Sequence, residues 1–110
     1  MKSPCQITFR NISHDETLEN AIQDKVAKLD SRFENIITCR VVVEVPHRHH
    51  KHGNYYNVRI DISVPEKEIV VNRDPGDKVE AHKDFNVALR DAFDAASRQL
   101  ENYVEARRPQ

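Results

Sequence analysis

Apolar and polar residues alternate from Gln6 to Arg10, with Ile7 and Phe9 on one side and Thr8 and Arg10 on the other, which predicts a half-buried strand. Ser13 with Glu16 three positions on has the form of a capping box, in which each side chain satisfies a free N–H at a helix start. The helix that follows carries Leu18, Ile22, Val26, Leu29 and Phe33 at spacings of three or four. These make one apolar stripe, from which Lys25, Lys28 and Arg32 point away. Ile37, Cys39, Val41, Val43 and Val45 alternate with polar residues in a second strand ended by Pro46. Tyr56, Val58, Ile60, Ile62 and Val64 form a third strand ended by Pro65, and Glu68 to Arg73 a short fourth after the turn Glu66-Lys67. Short connections make strands two, three and four antiparallel neighbours. Asp74-Pro75-Gly76-Asp77 reads as loop. A long helix from about Lys83 to Ala106 repeats Phe85, Leu89, Phe93, Ala96, Leu100 and Tyr103 or Val104. The order is β-α-β-β-β-α. The simplest α+β packing lays both helices on one face of a four-stranded sheet and leaves the other face wet.

Composition changes this picture little. A chain of 110 residues with 38% hydrophobic and 32% charged residues is the size of one domain, taken here as residues 1–110, with an apolar share that suffices for a two-layer core. Its two cysteines, Cys5 and Cys39, lie far apart and match no disulfide framework, so reduced thiols in a cytoplasm fit better. No apolar run approaches the roughly 20 residues that span a bilayer, and no signal-peptide pattern opens the chain. No membrane partner is expected.

Charge matters locally. The formal net charge is -1, unlike a generic polycation for nucleic acid. Between Thr38 and Ile60, however, Glu44 is the sole acid, against Arg40, Arg48, Lys51 and Arg59 with four histidines among them. The run Pro46-His47-Arg48-His49-His50-Lys51-His52-Gly53-Asn54 admits three readings. It can be a solvated hairpin loop, a phosphate-contacting loop through Arg48 and Lys51, or a metal site, although a loop offers zinc little of the fixed second shell it needs. Lys25, Lys28 and Arg32 share a helix flank interrupted by Asp24 and Asp30, a pattern that taken alone suits a solvated face.

Catalysis finds no support. Cys39 shares a strand face with Val41 and Val43 and reads as a small buried hydrophobe, with no base placed beside it. Gly53 and Gly76 are the only glycines, so no phosphate loop can be built. His14 and His82 read as boundary residues of helices, and Asp74 and Asp77 as turn residues. The reading is a non-enzyme with no cofactor, no metal and no small-molecule substrate.

Three short motifs lie in register on this topology. Ala27-Lys28-Leu29-Asp30 resembles the A-K-L-E/D motif of the ribosome hibernation factors and ribosome-associated translation inhibitors. Asp84-Phe85-Asn86-Val87-Ala88-Leu89 is similar to their D-M/L-Y-x-A-I signature, and Arg98-Gln99-Leu100 to their R-Q-L. The resemblance runs from about Gln6 to Arg108 and is to the short form of the family. It implies a fold like that of double-stranded-RNA-binding domains, seated in the mRNA and tRNA channel of the small ribosomal subunit. Inhibition of translation during stress or stationary phase would follow by exclusion of competing ligands. It further implies that Lys25, Lys28, Arg32, Arg90 and Arg98 contact rRNA, joined by Arg48 and Lys51 if the histidine-rich loop takes part. Where many relatives place lysines along the last helix this chain has Ala95 and Asn102, with Glu101 and Glu105 nearby. Long members add a C-terminal domain that pairs ribosomes; this chain, ending after Arg107-Arg108-Pro109-Gln110, is expected not to act through one and to be monomeric when free. Two rival readings stand beside this one: a regulatory or dimerisation module that binds a protein partner through a sheet edge, and a metal-responsive protein using the histidine-rich loop.

Overall fold

The structure is a computed structural model that describes residues 1–45, 55–72 and 84–108. Six elements follow in order: β1 (Gln6–Arg10), α1 (Glu16–Arg32), β2 (Thr38–Glu44), β3 (Asn57–Val64), β4 (Lys67–Asn72) and α2 (Phe85–Ala106). The α+β order and the two long helices agree with the hydrophobic pattern. The sheet order is β1-β2-β3-β4. β1 runs parallel to β2, with Gln6 opposite Arg40 and Phe9 opposite Val43, and the other two pairings are antiparallel. A parallel pair needs a crossover, and α1 supplies it.

Strand alternation sends Cys39, Val41, Val43, Val58, Ile60, Ile62, Ile69 and Val71 to one face, where all are buried. Ile22, Val26 and Leu29 of α1 and Phe33 just after it meet that face, as do Phe85, Leu89, Phe93, Ala96, Leu100 and Tyr103 of α2. Each large aliphatic so buried contributes roughly 1.5–3 kcal/mol against exposure, so this layer dominates stability. Ala88, Ala92 and Ala95 widen the buried stripe of α2 and let the helix lie close to the sheet. Ala95 therefore faces the core, so a longer charged side chain there would have to leave the interior.

The helix starts differ from the pattern at α1. The cap is Asp15, not Ser13: its carboxylate accepts from the N–H groups of Thr17 and Leu18, at 2.8 and 3.2 Å, and Glu16 is already helical. An acidic side chain adjacent to the first turn serves both the free N–H groups and the positive end of the helix dipole, which displaces the box. In α2, Asp84 accepts from Asn86 N–H at 2.8 Å, which starts the helix just after residues 81–83. The tight β3–β4 hairpin places Pro65 and Glu66 at its centre, with Glu66 at φ 68. Proline followed by a positive φ is the pattern of a type II turn. Tyr103 Oη donates to the Pro65 carbonyl at 2.8 Å and Arg107 Nη1 at 3.3 Å, so the end of α2 holds this turn.

The second sheet face is polar but not uniformly wet. Asp61 is 7% exposed and Val42 8% exposed on it. Arg40 and Arg59 reach over Asp61 from both sides, and the register puts Val42 between Thr8 and Arg59. The histidine-rich run, with Arg48 and Lys51, and the loop 74–77 lie outside the described residues.

Candidate nucleic-acid interface

In a helix of 3.6 residues per turn, Lys25, Lys28 and Arg32 fall along one flank of α1, and on α2 Asn86, Arg90 and Ser97 do the same. Packing of the two apolar stripes on one sheet brings these flanks together. Between them runs a groove in two connected depressions of about 380 and 160 Å³. Lys25 and Lys28 line both. Arg90 lies on the first, with Ala21, Asn86 and Val87, and Arg32 lies on the second, with Phe93 and Ser97. Asp24 and Asp94 are the acids among the lining residues.

The cations differ in how they are engaged. Arg32 donates through Nη2 to Glu101 Oε1 across the groove, and its guanidinium also stands 5.0 Å from the centroid of the Phe33 ring. Arg90 lies 3.5 Å from Asp91, its neighbour in sequence. Both pairs are well exposed, where such contacts are worth about 0–1 kcal/mol and yield readily to a stronger anion. Lys25 and Lys28 have no ion pair among the described residues, Lys25 half-buried in the groove wall and Lys28 exposed. A phosphate entering the groove meets two uncommitted ammonium groups flanked by two guanidiniums that must release an acid first. Such an array can bind a polyanion.

Of the residues expected at the site, Lys25, Lys28, Arg32 and Arg90 thus come together. Arg98 does not line the groove: it is exposed on α2 one position beyond the lining residue Ser97, turned about 100° further round the helix. Two groups were not among the expected contact residues. Asn86 and Ser97 add polar donors to the groove, legible only once the two flanks are known to face each other. On the opposite side of the sheet, Arg40 Nη2 and Arg59 Nε donate to Asp61 at 2.9 and 3.1 Å. Burial pushes the Asp61 carboxyl up, but these hydrogen bonds and the two positive charges outweigh it and hold the group below the usual carboxylate range. Strand parity already put residues 40, 59 and 61 on that face, with 59 and 61 neighbours on β3; the register that adds Arg40 is tertiary.

A sheet of four strands, both helices on one face and a groove between the helices lined by four cations and two acids define the class: a small two-layer α+β domain. The chain belongs to the Sigma 54 modulation protein / S30EA ribosomal protein family, which it matches over residues 5–108. This is the assignment that the three motifs anticipated. Among solved structures, the fold is similar to that of the Thermus thermophilus Protein Y N-terminal domain, at a TM-score of 0.67 and 16% identity over 89% of this chain and 94% of that one. It is equally similar to a ribosomal subunit interface protein from Coxiella burnetii, with a TM-score of 0.68 and 13% identity over 92% and 97% of the two chains. At these identities the likeness is one of fold. No curated protein matches the sequence. Among the described residues no helix is long and apolar enough to cross a membrane.

Proposed function

We propose that this chain is a non-enzymatic ribosome-associated factor that binds the small subunit in the mRNA and tRNA channel and inhibits translation by occupying it. Family membership supports association with the ribosome, and the description of the Coxiella burnetii neighbour as a subunit interface protein agrees with it. The observation that carries the reading is the meeting of Lys25, Lys28, Arg32 and Arg90 on one groove in a chain whose net charge is -1. A nearly neutral protein that gathers four cations on one groove, two of them without an ion pair among the described residues, is suited to phosphate contact there rather than to non-specific attraction. The contact surface comprises the groove, with Arg98 at its margin and Arg48 and Lys51 in the histidine-rich loop as further contacts. Shape recognition of folded rRNA supplies specificity and the phosphate contacts supply salt-dependent affinity.

Co-sedimentation of the purified protein with small subunits across a salt series tests this. Each lost phosphate contact flattens the dependence of log affinity on log salt by roughly 0.7–0.9. Lys25→Ala with Lys28→Ala is expected to weaken binding and to lower the slope by about two such increments while leaving the melting temperature within a few degrees, since both are surface substitutions. Failure of the wild type to sediment with subunits even at low salt, or an unchanged slope in the double variant, would overturn the proposal.

A further inference from the structure

Cys5 and Cys39 are far apart in sequence but neighbours in the fold. Gln6 opens β1 opposite Arg40, so the parallel register continued one step back sets Cys5 beside Cys39. Adjacent strands lie about 4.8 Å apart, inside the Cα separation of about 4.4–6.8 Å that a disulfide spans. Both thiols are free, and the Cys5 thiol donates to the Gln6 carbonyl at 3.7 Å. Cys5 is half-buried at the rim of the core, whereas Cys39 is 4% exposed among the core side chains.

We propose that Cys5 and Cys39 form a thiol pair that closes reversibly into an intrachain disulfide by exchange with a small-molecule disulfide of the glutathione type. Cys5 is the entry point, being the sulfur that solvent reaches. Its thiol is held below the ordinary range, first by the hydrogen bond from Cys39 and then by the Val41 backbone N–H, against the opposing effect of burial. Cys39 is pushed up by that same hydrogen bond, by burial and by the neighbouring negative charges of Cys5, Asp30 and Asp61. The Cys5 thiolate attacks one sulfur of the small disulfide, a mixed disulfide forms and one small thiolate leaves to take up a proton. Cys5 then carries no negative charge, so the first of the causes that kept Cys39 protonated is gone, and burial and the Asp30 and Asp61 charges remain. Cys39 loses its proton and attacks the Cys5 sulfur, and the second small thiolate departs with a proton. Two cysteine thiols are oxidised and one small disulfide is reduced to two thiols. The new bond staples β1 to β2 around the crossover helix α1, the helix that supplies Lys25, Lys28 and Arg32.

The test is incubation of the full chain, folded by circular dichroism, with oxidised glutathione, followed by intact mass and peptide mapping without reductant. The expected product has lost two hydrogens, joins the peptides holding Cys5 and Cys39, melts several degrees higher than the reduced protein and reverts with dithiothreitol. Cys39→Ala is expected to stop at one glutathione adduct on Cys5, and Cys5→Ser to remain unmodified under the same conditions. A wild type that retains a stable glutathione adduct, forms an intermolecular dimer or stays reduced overturns the proposal, and these outcomes are read on the wild type even if a variant fails to fold.

Discussion

Asp61 shows how one residue can sit against its type's preference and still stabilise the fold. Carboxylates are rarely buried, and this one, on the face of the sheet away from the helices, is kept charged only because Arg40 and Arg59 both donate to it. Its folded pKa lies below the ordinary value of 3.8. A carboxyl with a depressed folded pKa contributes stability that is present above the unfolded value and is lost as pH falls through the folded one. Asp61→Asn is therefore expected to cost about 1–3 kcal/mol near neutral pH, since two charge-assisted bonds weaken and two guanidiniums are left facing each other. Denaturant unfolding of both proteins from pH 7 to pH 2 checks this: the gap should narrow below about pH 4. A gap that persists unchanged at pH 2 would mean that the side chain acts through packing and not through its charge.

At the scale of elements, the ion pair between Arg32 and Glu101 joins the helices across the groove and holds one cation away from any incoming anion. Both side chains are about half exposed, so the pair adds little to folding. Glu101→Gln is expected to leave the melting temperature nearly unchanged. Binding to small subunits should tighten about two- to ten-fold at low salt, within the range of a surface charge contact, with a steeper salt slope because Arg32 is released for phosphate. Arg98→Ala on the same helix, off the groove, separates a broad basic surface from a confined one: an effect on slope equal to that of Lys28→Ala would extend the contact surface round α2. Loss of affinity in Glu101→Gln would instead show that the pair positions α1 against α2 and that its charge balance is secondary.

Among the described residues the molecule is layered, with an apolar interior, a polar sheet face and an open groove between the helices. Under the proposed function the mechanism is occupancy, which needs no turnover. In a purified translation system, the protein is expected to inhibit stoichiometrically with small subunits, to lose potency as salt rises and to consume no nucleotide beyond the system's own. Nucleotide hydrolysis that co-purifies with the protein, or inhibition at amounts far below the ribosome concentration, would replace this account with a catalytic one.

Periodicity alone determined the element order, the stripes of α1 and α2 and the core faces of β2 and β3, because burial selects side chains at a period of two in strands and near 3.6 in helices. The motifs Ala27–Asp30, Asp84–Leu89 and Arg98–Leu100 were enough to indicate the family, and strand and helix phase made Lys25, Lys28 and Arg32 a shared flank. Period carries no information about which element lies beside which. Only the tertiary structure set β1 parallel to β2, which turned two distant cysteines into neighbours, and brought Arg40 of β2 to Asp61 of β3. It also turned Ala95 inward and left Arg98 outside a groove that Arg90 lines. Each of these depends on contacts between residues distant in sequence or on the phase of a helix against the layer it covers, quantities that exist only once the chain has packed.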